Sequence, residues 1–182
     1  ILDIHNPTGS VDLNGKLVIA GGKVNVYGGN HASYWPGSAN AELHMSSGTL
    51  DFKDRGIFVL DHPTLTFLDN ITGGAIRAVG GFQGDHHSFN PAGGIIEIYG
   101  AGNAGLSHGI GSSLYEVKID KGTGTVDVTS NLDIDDELQI NTGELDINGF
   151  TADVSGLMLI YGKLTMNLAG SELHVGDGIN WY

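Results

Sequence analysis

The chain has 182 residues, no cysteine, and 8 Lys+Arg against 21 Asp+Glu, a net charge of −13. Phosphates need cationic partners, so this balance excludes nucleic acid, and it equally excludes a basic patch for a membrane surface. No apolar run reaches the roughly 20 residues of a spanning helix, so no membrane insertion is expected.

In chain order, the sequence opens in a strand-like phrase from Ile1 to Ile4, and alternating apolar pairs then recur. Leu17 and Ile19 return as Leu43 and Met45, while Val24 and Val26 return as Leu50 and Phe52 and again as Ile76 and Ala78, always at one wide step. Each pair skips one residue, the period of a strand with one buried face. The surplus chain in these wide turns is expected to leave as loops over residues 27–41 and 79–93, both rich in Gly, Pro, Ser and Asn. Ile96/Ile98 and Val117/Ile119 follow at a shorter step.

After about residue 114 the pattern tightens. Gly124, Gly143 and Gly162 each open an alternating phrase, evenly spaced and closer together than the wide step. Within one such step, Val126/Val128, Leu132/Ile134 and Leu138/Ile140 predict three short strands. The next supplies Leu145/Ile147, Ala152/Val154 and Leu157/Leu159, and the last begins Leu164/Met166 and Leu173/Val175. A fixed step of this size marks a stacked solenoid. Three strands per turn with Gly or Asn at the corners describe an all-β, parallel β-helix of triangular section, right-handed by the crossover rule. An antiparallel sandwich also shows many short strands but does not hold a fixed step.

At about 20 residues per turn the rod has about eight or nine turns, stacked at about 4.8 Å. Residues 1–182 form one domain, with wide loop-bearing turns to about 113 and regular turns beyond. The open sheet edges expected at both ends suit a fragment of a longer rod, or a unit that stacks on identical subunits.

Several phrases carry a family resemblance. Residues 131–150, followed by Gly162-Lys-Leu-Thr-Met, resemble the strand and "SGTLDLNGY" repeats of pectate-lyase-like parallel β-helix domains in large surface proteins secreted by Bacteroidota-type bacteria. Ser47-Gly-Thr-Leu-Asp-Phe matches the same phrase, and residues 89–100 and 111–119 are similar to a second one. The resemblance covers mainly residues 47–175. It implies export to the bacterial cell surface and a non-catalytic, adhesin-like role.

Candidate sites gather in the wide turns. If the two long insertions leave one side of the rod two turns apart, Tyr34 and Trp35 face Asp85, His86, His87 and Phe89, with Arg55 and His62 on the turn between. An aromatic beside polar groups suits a sugar ring, whose C–H face stacks while its hydroxyls bond. Alternatively Trp35 and Phe89 pin their loops to the rod. Asp85, His86 and His87 also offer metal-ligand types, without any established ligand spacing.

Outward Asp127 and Asp146 are expected to stack one turn apart, and Asp133 and Asp153 likewise, in columns that calcium would bridge or water would solvate. Glu144 is expected beneath Lys163 as a favourable pair.

Ser107-His108-Gly109 resembles the Gly-His-Gly segment of polygalacturonases, but Asp135 and Asp136 follow the histidine instead of preceding it, and no Arg-x-Lys occurs. Catalysis is therefore not expected. Nor is ice binding, since no sustained threonine ladder is present. The expected function is a non-catalytic structural or adhesive module of a secreted surface protein, with a carbohydrate-binding or polysaccharide-cleaving β-helix as the alternative. Its partner would be a surface glycan, a protein ligand, or further copies of itself.

Overall fold

The computed structural model describes residues 1–6, 11, 13–27, 33–35, 41–53, 57–60, 68–84 and 89–182, with 33–35, 57–60 and 68 described in backbone only. Among the described residues every element is a strand, and parallel strands stack into a β-solenoid of about 7 turns. That is fewer than expected, because each wide turn of the first half spends the whole stretch from one paired residue to the next, as from Val24 to Leu50.

Three columns of strands form three faces. On the first, Leu17 and Ile19 lie against Leu43 and Met45, and farther along Leu132–Ile134 pairs with Thr151–Val154 and then Glu172–Val175. The second face sets Val24, Leu50, Ile76, Ile96, Val117, Leu138, Met158 and Ile179 in one register column. On the third, Trp35, Leu60, Gly84 and His108 share a register position, and the face continues through Val126, Leu145 and Leu164. The wide step at Val24, Leu50 and Ile76 and the narrow step at Val126, Leu145 and Leu164 are thus both real registers.

Inward residues at each rung are apolar, and Leu43, Leu50, Phe52, Ile98, Ile119, Ile140 and Leu145 lose all contact with solvent. Side chains repeating on each strand thereby fill a continuous interior that grows turn by turn.

Three expectations need correction. Ser33–Trp35 and Gly81–Gly84 lie within the stretches assigned to loops, yet both are third-face strands. Their composition conceals them. In Gly81–Gly84 only Phe82 is a large apolar residue, and a Cβ on Gly81 would strike the Gly105 carbonyl oxygen of the next rung. Next, Leu138 and Ile140 pair with Met158 and Ile160, so those two are buried in place of Leu157 and Leu159. The step from Leu138 to Met158 is one residue longer than that from Leu145 to Leu164, and one residue of slip turns every side chain to the other face. Phe89, finally, is fully buried with its ring 5.5 Å from that of Phe82, so it fills the core and does not face a ligand.

The corner between the second and third faces needs unusual residues. Gly143 has φ of +80°, and a Cβ there would lie 2.7 Å from the Gly124 carbonyl oxygen. Beside it Lys121 is wholly buried, its ammonium donating to the carbonyls of Val79 (2.8 Å), Tyr99 (3.0 Å) and Ala101 (3.4 Å). Burial lowers the pKa of this lysine. The side chain clips several rungs together from inside.

Candidate functional site

Of the expected ligand residues, Arg55, Asp85, His86 and His87 lie outside the described residues, as does His62. Tyr34 and Trp35 sit in the strand Ser33–Trp35, described in backbone only. Its register places Trp35 beside Leu60, and Leu60 beside Gly84, the residue that Asp85 follows. Asp127 and Asp146 occupy one register position on adjacent rungs, as do Asp133 and Asp153. Asp146 accepts a hydrogen bond from the Asn148 backbone at 2.9 Å. Among the described residues no group of three or more His, Cys, Asp or Glu is arranged to hold a metal ion. Glu144 and Lys163 are paired at 2.8 Å, where the narrow step places them.

The outward side of the second face holds a charge ladder that the sequence reading passed over. Asn25, Asp51, Arg77, Glu97 and Lys118 are the middle residues of consecutive strand triplets and stand in register. Asn25 donates to Asp3 at 2.6 Å, Arg77 contacts Glu97 at 2.6 Å, and Lys118 lies 3.8 Å from Glu97. Asp51 is fully buried among Lys53 (2.6 Å), Lys23 (2.8 Å), Arg77 (3.4 Å) and the Tyr99 hydroxyl, which donates at 2.7 Å. Burial alone would raise the Asp51 pKa, but the hydrogen bonds from Lys23, Lys53 and Tyr99 outweigh it and hold the carboxyl below its ordinary range. The Arg77 guanidinium lies over the Tyr99 ring, 4.1 Å from its centroid. Apart from the buried Asn25 Oδ1, which has no hydrogen-bond partner among the described residues, these groups are satisfied by one another, so the ladder fastens rungs together.

A cleft of about 480 Å³ opens at the edge between the third and first faces. One wall is the segment 108–112, and the floor is the rung from Thr129 to Asp133. Phe150 and Asp153 of the next rung close the far side. His108 holds this wall in place. Its Nε2 accepts the Asp133 backbone N–H at 2.5 Å, so Nδ1 carries the proton and donates to the Gly109 carbonyl at 2.8 Å. The hydroxyls also point inward: Ser112 donates to the Gly109 carbonyl (2.7 Å), Ser130 to the His108 carbonyl (3.2 Å) and Thr129 to the Leu106 carbonyl (3.4 Å).

Facing the opening are the Asp133 and Asp153 carboxylates and two apolar side chains, Ile110, 86% exposed, and the half-buried Phe150. Burial, then the charges of Asp135 and Asp153, raise the Asp133 pKa, with His108 opposing. On the next rung His174, the register partner of Asp153, contacts it through Nδ1 at 2.6 Å. The register pair Asp133/Asp153 was legible in the sequence, and the cleft beside it was not.

The chain matches no protein-family model, and no curated protein and no solved structure matches it.

Proposed function

We propose that the chain is a non-catalytic structural and adhesive module of a secreted bacterial surface protein, a rigid rod that presents its sides to a partner. The carrying observation is the continuous solenoid interior, fastened outside by a cross-rung ion-pair ladder and inside by Lys121. Such a scaffold holds a surface at a fixed distance and orientation. The phrase resemblance of residues 47–175 supports the surface location.

His108 favours a non-catalytic reading, since both ring nitrogens are already engaged and neither is left to move a proton. A filament variant, in which rods stack on identical subunits through unpaired sheet edges, belongs to the same reading.

Adhesion by weak sites repeated on many rods has a measurable signature. Single rods and rods clustered on beads would be applied to the same glycan array, in calcium and in chelator. Clustering should raise apparent affinity by at least about 100-fold. Equal binding by both forms, or binding by neither, would remove the adhesive role.

A further inference from the structure

We propose that the cleft at His108–Asp153 binds a pyranose bearing a free amine, its ammonium held between Asp133 and Asp153 and its apolar ring face against Ile110 and Phe150. The inference rests on the reading of the chain as a display rod, and it names the chemistry the rod would grip.

Size is the first argument. A volume of about 480 Å³ lies within the range of small-ligand pockets, roughly 300–1,000 Å³. An open trough of that size takes one or two sugar rings and leaves a chain free to continue out of it.

Hydrogen-bonding capacity is the second. The lining imidazole and serine hydroxyls have spent their protons on the protein itself: His108 Nδ1–H and Ser112 on the Gly109 carbonyl, Ser130 on the His108 carbonyl. Beside the Asn131 amide, what faces the opening is chiefly acceptor: the oxygens of Asp133 and Asp153, one of the latter held by His174 at 2.6 Å. An acceptor wall selects a ligand rich in donors, and an ammonium brings three donors and a charge.

Charge is the third. Asp133 and Asp153 are in register on adjacent rungs, about 4.8 Å apart along the rod, and repel one another. Among the described residues no lysine or arginine lines the cleft. The described lysines and arginines are committed elsewhere: Lys16 to Glu42, Lys163 to Glu144, Lys121 to buried carbonyls, the rest to the ladder. A uronate or phosphate ligand would therefore meet unrelieved repulsion, whereas an ammonium relieves the carboxylate pair. The final feature is shape. Ile110 projects from the wall almost fully exposed, and with Phe150 it offers apolar surface beside the carboxylates. A pyranose has this two-sided character, with C–H bonds on one face and polar groups at its rim.

Isothermal titration calorimetry of the whole chain tests the assignment, using a glucosamine trisaccharide and its fully N-acetylated counterpart. The amine form should saturate one site, and acetylation should weaken it at least tenfold. Asp153→Asn and Asp133→Asn should each lose at least tenfold, and Ile110→Ser several-fold, with thermal unfolding confirming that the variants fold. Equal affinity for the acetylated sugar, indifference to the Asn variants, or no binding of either sugar would overturn the proposal. So would calcium alone, if it occupied the carboxylates and excluded the sugar. Negative-stain images of the same sample separate the two readings: rods that fail to bind the amine sugar remove this inference and leave the rod intact.

Discussion

Taking the Asp51 carboxylate out of water is strongly unfavourable unless partners compensate, and Lys23, Lys53, Arg77 and Tyr99 do so together. Asp51→Asn removes the shared counter-charge but leaves three cations, each only 25–32% exposed. The cost should be about 3–4 kcal/mol, the lower part of the range for breaking a buried pair because the cations keep some water. The pH dependence has a definite sign. With its folded pKa below the ordinary value of 3.8, Asp51 stabilises fully above that value and loses its contribution as pH falls toward the folded pKa. Urea midpoints of wild type and variant should differ by a constant amount from pH 8 to 5 and converge in acid. A gap unchanged down to pH 2 would mean that the ladder is not what Asp51 supplies.

Asp133 should show the opposite sign. Its raised pKa means the folded state resists its ionisation, so Asp133→Asn should stabilise slightly at neutral pH, within about 0.5 kcal/mol for an exposed side chain. The gain should vanish at low pH, where Asp133 is already protonated, and a loss at neutral pH would show a bond that the carboxylate supplies. Both networks were partly legible. Asn25, Asp51, Arg77, Glu97 and Lys118 are the outward residues of the very triplets that carry the period, so stacking them needed only the register. Tyr99 and Lys23 join from neighbouring positions, and only three-dimensional proximity reveals them.

At the scale of the strand, the interior column and the corner glycines are the sensitive parts. Met158 is fully buried while Leu157 is half-buried, although periodicity read on a constant step puts Leu157 inside. The step varies between faces. It lengthens by one residue between the Leu145/Leu164 pair and the Leu138/Met158 pair, and by one more at Met158/Ile179. A run such as Leu-Met-Leu-Ile has apolar residues in both phases, so its pattern cannot choose. Met158→Ala should cost about 2–4 kcal/mol and Leu157→Ala well under half of that. The reverse order would restore the constant step.

Corners make a parallel comparison. Gly143 and Gly102 have nearly the same φ, +80° and +82°, but a Cβ on Gly143 meets the Gly124 carbonyl and Lys121, and one on Gly102 meets nothing within 4 Å. Gly102→Ala should therefore cost only the conformational strain, about 1–2 kcal/mol. Gly143→Ala adds a backbone clash and should cost at least about 1 kcal/mol more. Equal urea midpoints for the two variants would mean that the rungs yield more readily than a packed solenoid should.

Across the whole molecule two kinds of electrostatics compete. The net charge of −13 is spread over about 7 turns, a rod of about 34 Å at the inter-strand spacing, and its carboxylates repel over long distances. The ladder's attractions act over 2.6–3.8 Å in partly buried positions. Screening lengths fall from about 10 Å at 0.1 M salt to about 3 Å at 1 M, which removes the long-range repulsion and leaves the close contacts largely intact. Sodium chloride should thus stabilise the rod, raising the thermal midpoint by about 2–4 °C for each kcal/mol of repulsion relieved. A midpoint that falls with salt would show that pairs such as Arg77–Glu97 outweigh the net charge.

The same field shapes encounters with a partner. With most described cations tied into the ladder or buried, the surface met at long range is acidic, so a cationic ligand is drawn in and an anionic one is turned away. That attraction weakens under the salt that steadies the fold. An amine-bearing sugar should therefore bind less tightly at 1 M salt, just where the rod is more stable, and a loss of binding there cannot be charged to unfolding.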